Sequence, residues 1–231
     1  MPITVNYPAA SSGSGARAAC GKFPLVIATH GSQGDGPSAA ALHTYLVRAG
    51  YVLAAPSFPG GLEINSHAKD VRSVISKMLS VNRRGGEPFA HRINSKRIGV
   101  IGTSMGGMIG IALAGKCCLD RRIDAVVAKA GTSYGSGSFS RKGPALLMIN
   151  GNDDGTISYS SARETYRRAK HPKGFITLNG IGHDLNVRND PILSEASLGF
   201  FTRYLRGSGA GLRRVVRAVA DSSIASLQKD W

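Results

Sequence analysis

Gly102-Thr103-Ser104-Met105-Gly106, within "RIGVIGTSMGGMIGIALAG", sets one serine between two glycines where one apolar run ends and another begins. A serine hydroxyl is a weak nucleophile unless a base takes its proton. It serves acyl transfer when it stands on a sharp strand-to-helix turn with its oxygen exposed. Side chains two residues to either side would collide across such a turn, so glycine at both places fits. A glycine-rich turn that happens to contain a serine is the competing reading, and the rest of the chain decides between them.

The base must come from one of six histidines. His183, in "NGIGHDLNV", follows the β-rich run "FITLNG" and lies in a loop between Gly182 and Asp184. It also comes late in the chain, as the nucleophile–acid–base order of such sites requires. His171, beside Pro172 in a Lys-rich turn, reads as solvated, and His43 reads as a surface position on a helix. His67 and His91 have no comparable strand-end setting. An acid belongs between serine and histidine, and "ALLMINGNDDGTI" ends an apolar run with two neighbouring carboxylates, Asp153 and Asp154. Either would orient the imidazole and stabilise its charged form. Ordinary turn chemistry explains the same residues without catalysis.

An acyl-transfer site also needs donors for the developing oxyanion. The residue after the nucleophile supplies one backbone N–H, here Met105. The other is expected from "HGSQGDG", the loop after an early apolar run, with the Ser32 N–H as donor and Gly31 allowing close approach. Gln33 in the same loop and Tyr134 in "AGTSYGSGSF" are expected to border the substrate. That loop lacks both G-x-G-x-x-G and G-x-x-x-x-G-K-[ST], which speaks against a nucleotide-phosphate loop.

These residues need a scaffold. The runs "ITVNY", "PLVIATH", "YVLAAPS", "RIGVIGT", "DAVVAKA", "PALLMING" and "FITLNG" are nearly continuous in apolar residues. That is the pattern of strands buried on both faces of a mostly parallel sheet. Helix-length segments lie between them. Residues 37–49 start at Pro37 and stop before Gly50, the usual asymmetry of helix ends. Residues 66–82 carry Val71, Val74, Ile75, Met78 and Leu79 at helical spacing. Ser161 with Glu164 fits a capping box, and residues 192–205 read as a last packed helix. Residues 9–21 read as a loop. Alternating strand and helix predicts a doubly wound α/β domain. After "GSGAG", residues 207–231 are expected to form an amphipathic helical extension, with Leu212, Val215, Val216, Val219, Ile224 and Leu227 in one stripe. Docking on the body is the expected use, and contact with a membrane surface the alternative.

The stretches "FPLVIATHGSQG", "LVRAGYVLAAPSFPGG", "IGVIGTSMGGMIG", "LLMINGNDDGTISYSSA", "GIGHDLN" and "GFFTRYL" run in order over most of residues 3–206. Together they resemble the α/β-hydrolases, and more closely the dienelactone-hydrolase-like serine esterases. That grouping takes in relatives of platelet-activating-factor acetylhydrolase, chlorophyllase and the bacterial cutinases or polyester hydrolases. The resemblance implies an α/β-hydrolase catalytic domain over residues 1–206, with helices flanking a mostly parallel central sheet and no large lid domain. It implies a serine esterase acting on small or polymeric carboxylic esters, with no metal or cofactor. The family pattern G-x-x-D-x-x-(V/I) matches Gly151, Asp154 and Ile157, which selects Asp154 as the acid and leaves Asp153 in reserve. Two departures stand out. Dienelactone hydrolases proper use cysteine where this chain has Ser104. Bacterial cutinases carry His before the serine and an aromatic residue at the oxyanion position, where this chain has Thr103 and Ser32.

The chain has 231 residues, enough for one domain with its own core, and a formal charge of +15 from 29 basic and 14 acidic residues. The basic residues are dispersed and no nucleic-acid-binding motif accompanies them, so a solvated basic surface is expected rather than a specific nucleic-acid site. Cys20, Cys117 and Cys118 form no disulfide framework. No apolar run reaches the about 18 residues of a membrane helix. The N-terminus lacks a basic start followed by an apolar stretch, so no signal peptide is expected; a cytoplasmic protein is the first reading and a secreted mature form the other. Two rival functions stay open: a peptidase or amidase on the same fold, and a catalytically silent hydrolase-fold protein that binds an anionic partner.

Overall fold

The computed structural model describes residues 1–37, 40–59, 61–135, 138–170, 172–185, 187 and 190–231. Eight strands form one sheet: β1 Ile3–Asn6, β2 Phe23–Thr29, β3 Val52–Pro56, β4 Ile93–Thr103, β5 Ile123–Lys129, β6 Ala145–Gly151, β7 Lys173–Leu178 and β8 Ala225–Asp230. Their order across the sheet is β1-β3-β2-β4-β5-β6-β7-β8. The six inner strands run parallel, and β1 and β8 pair antiparallel at the two edges.

The inner strands are apolar throughout because both faces are covered. Leu25 and Ile27 of β2 join a core with α2 (Ile64–Arg84), α3 (Met105–Ala114) and α4 (Tyr159–Arg168). Val26 and Ala28 point the other way, into a core with α1 (Ala40–Arg48), α5 (Ile192–Arg206) and α6 (Ala210–Ala220). The period of two along a strand thus feeds two separate cores. Gly207, at φ 73, ends α5 in the left-handed conformation that glycine adopts without steric cost. The cap of α4 is Ser158 rather than Ser161: the Ser158 side chain accepts the Ser161 N–H. His43 is buried, not at the surface, because its face of α1 turns toward the sheet. His171 lies outside the described residues.

The C-terminal segment differs most from expectation. Helix α6 ends at Ala220, and residues Ala225–Asp230 form β8 along β7 instead of continuing the helix. Ala225 and Leu227 are half-buried while Ser226 and Gln228 alternate with them as polar partners, a period of two that cannot form one helical stripe. Leu212 and Val219 pack on the α5 side and Val215 is buried, but Val216 is 40% exposed. Helices α5 and α6 cross closely: a Cβ on Gly211 would lie 2.4 Å from the Gly199 carbonyl oxygen. No helix among the described residues is long and apolar enough to cross a membrane.

Candidate active site

In an open parallel sheet the crevice forms where successive connections leave in opposite directions, outside the C-terminal strand ends. Here β2 leads outward to β3, and the chain then returns to place β4 on the other side of β2. The ends of β2 and β4 carry the His30–Ser32 loop and Ser104 respectively.

Ser104 occupies the one-residue turn between β4 and α3, at φ 56 and ψ −120. For a residue with a Cβ this is a strained backbone, held only by its surroundings. Two glycines make it sterically possible. A Cβ on Gly102 would stand 2.2 Å from Thr29 Oγ1 and 2.3 Å from the Gly106 carbonyl, and one on Gly106 would stand 2.1 Å from the Thr29 carbonyl oxygen. The Thr29 hydroxyl lies 3.0 Å from the Gly106 carbonyl oxygen and 3.2 Å from that of Ile101, tying the two arms of the turn together. The Ser104 N–H donates to the Lys129 carbonyl at 2.9 Å, which fixes the turn to β5.

The acid and base arrive on two loops bonded to each other. A Cβ on Gly151 would lie 1.9 Å from the Ile181 carbonyl oxygen, so only glycine lets the loops after β6 and β7 approach so closely. The Asp153 N–H donates to the Ile181 carbonyl at 3.1 Å, and the Gly180 N–H to Asn152 Oδ1 at 2.7 Å. Asp153 itself is exposed, whereas the Asp154 carboxylate is fully buried. Asp154 Oδ1 accepts the Thr156 and Ile157 N–H groups, each at 2.8 Å. His183 Nδ1 lies 2.9 Å from Asp154 Oδ2 and 3.1 Å from Oδ1, and its Nε2 lies 2.9 Å from Ser104 Oγ. Donors surround the carboxylate, so it is the acceptor for an Nδ1–H, and Nε2 is left as the acceptor facing the serine hydroxyl. The arrangement can draw the Ser104 proton onto the ring and stabilise the resulting imidazolium.

Met105 is the first residue of α3, where a backbone N–H has no partner within its helix. The Gly31–Ser32 loop lies beside it: a Cβ on Gly31 would come 3.6 Å from Ser104 Cβ. His30 pins that loop. Its Nδ1–H donates to the Gly31 carbonyl at 2.7 Å while Nε2 accepts the Phe58 N–H at 2.8 Å. The same contacts fix the ring's tautomer. Ser32 and Gln33 are exposed in the turn closed by the Gly34 N–H and the Gly31 carbonyl. Tyr134 is 62% exposed and lines an open groove of about 460 Å³ with Phe139 and the C-terminal half of α3. That groove shares no residue with the Ser104–His183–Asp154 cluster.

Thr29, His30 and Lys129 also hold the site, through the Gly106 carbonyl, the Phe58 N–H and the Ser104 N–H respectively, and none of the three carries a catalytic motif. Lys129 had a visible signal, as the one cation in the apolar run "DAVVAKA". Thr29 and His30 had none, since their roles depend on loops distant in sequence. Comparison of the chain with protein-family profiles and with curated proteins yields no match.

Proposed function

We propose that the protein is an α/β-hydrolase-fold serine esterase that cleaves carboxylic esters through an acyl-enzyme. The hydrogen-bonded line from Ser104 Oγ through His183 to buried Asp154, set on a strained turn between strand and helix, carries this reading. Ser104 Oγ attacks the ester carbonyl as His183 Nε2 takes its proton. His183 then gives that proton to the leaving alcohol, and the C–O bond breaks. Water enters, and His183 Nε2 takes its proton as the water oxygen bonds to the acyl carbon. The same proton then passes to Ser104 Oγ as the Oγ–acyl bond breaks and the acid leaves. The Met105 and Ser32 N–H groups stabilise the oxyanion, each worth roughly 3 kcal/mol in the transition state.

Ser104 is half-buried and the His183 side chain beside it is 22% exposed, so the reacting pair is reached from solvent. Such a site suits esters whose acyl or alcohol part extends beyond the reacting carbonyl, polyesters among them. A panel of p-nitrophenyl esters of increasing chain length, with one soluble polyester, reads this directly. Ser104→Ala is expected to keep the fold and to lose turnover by about 10⁶-fold, the scale seen when a nucleophile is removed from such a set. Retained hydrolysis in that variant sinks the reading.

A further inference from the structure

Lys129 is the last residue of β5, and its backbone carbonyl holds the Ser104 N–H. Its side chain is a separate matter. Ala125 and Val127 of β5 face the core shared with α1 and α5, and the period of two sends Lys129 to the same side. There it is buried, at 6% exposure, in a cavity of about 50 Å³. That volume holds at least one water. The cavity lies at the C-terminal end of the sheet, and its walls include Gly31, Gly102 and Thr103. It therefore backs both the loop expected to bind the oxyanion and the turn that presents Ser104.

The groups facing Lys129 come from each packed element. Helix α1 supplies His43 and β4 supplies Thr103; Thr29–Gly31 at the end of β2 close another wall, with the Thr29 hydroxyl turned away to the Gly106 carbonyl on the α3 side. No carboxylate lines the cavity among the described residues. Burial lowers the Lys129 ammonium to about 8. Burial and then the Lys129 charge hold His43 down to about 4, so His43 stays neutral near pH 7. His30 uses Nε2 as an acceptor, which also marks a neutral ring. Lys129 is thus the cation of this cluster, and no carboxylate among the described residues that line it neutralises the charge.

We propose that Lys129 is a positioning residue whose buried ammonium, behind the Gly31–Ser32 loop and the Ser104 turn, places fixed positive potential under the oxyanion. This rests on the ester-hydrolase reading of Ser104, His183 and Asp154. A buried ammonium without an anionic partner destabilises the fold, whereas a preorganised charge aimed at developing negative charge speeds the chemical step. In a medium of effective dielectric about 20, one unit charge at the range of a neighbouring side chain alters the rate on the order of tenfold. The substrate carbonyl is neutral before attack, so the effect falls on kcat and leaves KM nearly unchanged.

The test compares the wild-type chain with Lys129→Met, an apolar side chain of similar length, on a neutral p-nitrophenyl ester from about pH 6.5 to about 9.5. For the wild type, kcat is expected to fall on the order of tenfold as pH rises through about 8, where Lys129 loses its proton. Lys129→Met is expected to melt at higher temperature, to start at the lower kcat with KM unchanged, and to lack that alkaline fall. A variant with wild-type kcat, or one that keeps the fall, overturns the inference. Wild-type turnover that stays level through pH 8 overturns it without any variant. A wild-type chain that neither hydrolyses esters nor takes up a fluorophosphonate overturns the ester-hydrolase reading first, and the inference with it.

Discussion

Asp154 and Lys129 are both buried charges at the C-terminal end of the same sheet, and the protein treats them in opposite ways. Asp154 receives two backbone N–H groups at 2.8 Å and the His183 imidazole at 2.9 Å. Lys129 shares a small cavity with His43 and Thr103, and burial sets its pKa. A satisfied buried charge fixes geometry, because any displacement breaks several hydrogen bonds at once. A buried cation with no carboxylate lining its cavity among the described residues contributes potential at a stability cost and titrates close to working pH. Glu195 makes a third case. It is paired with Arg214 at 2.6 Å and with the Tyr45 hydroxyl, both partly exposed, and Arg214 holds its carboxyl below the usual range.

Substitution of Asp154 is expected to have the largest effect. Asp154→Asn keeps an oxygen for the Thr156 and Ile157 N–H groups, so the fold should persist. It offers His183 no anion and favours the wrong tautomer, and turnover should drop by about 10⁴-fold. A drop under tenfold, measured with the most reactive p-nitrophenyl ester, removes Asp154 from the triad.

Next in size is the pH dependence of stability carried by Lys129. Its pKa is lowered on folding from 10.5 to about 8, so between those values the unfolded chain binds more protons than the folded one. Stability then rises with pH across that window, by at most about 3 kcal/mol at about 1.4 kcal/mol per pH unit. Below about pH 8 both states carry the proton and this contribution is flat. Denaturant melts of wild type minus Lys129→Met isolate the effect from the tyrosines, and equal slopes in the two proteins contradict it. At neutral pH, Lys129→Met should itself be more stable by roughly 1–3 kcal/mol, since it removes an uncompensated buried charge. Destabilisation of that size would mean that the ammonium is held by favourable contacts after all. The smallest change is expected at the third cluster. Glu195→Gln should cost about 1 kcal/mol or less, because a partly exposed pair gains little in water. A thermal melt shifted by several times that amount would show the α5–α6 crossing to depend on the pair.

The six inner strands were legible because strands with both faces covered are apolar without interruption, and the edge strand β1 because Ile3 and Val5 alternate with polar residues. Strand β8 was not, since an edge strand pairs on one side only and needs few apolar residues. "ASLQKD" carries just Ala225 and Leu227 on its packed side, and the apolar helix before it invited the same period to be extended. At the site, Ser104, His183 and Asp154 were each marked by turn glycines at strand ends, and the structure brings all three within hydrogen-bond distance. The Asp153 alternative differs by a single residue, and it is the Ile181–Asp153 backbone bond that turns Asp154 inward. The sequence was misleading for His43 and silent on Thr29, because a helix position or a strand end does not reveal which distant loop covers it.

The most direct measurement is intact-protein mass spectrometry after treatment with a fluorophosphonate, followed by peptide mapping. The expected result is one adduct, on Ser104, formed by the wild type, lost in Ser104→Ala and strongly slowed in Asp154→Asn. No adduct on the folded wild type, or the same adduct in Ser104→Ala, would contradict the assignment of Ser104 as an activated nucleophile.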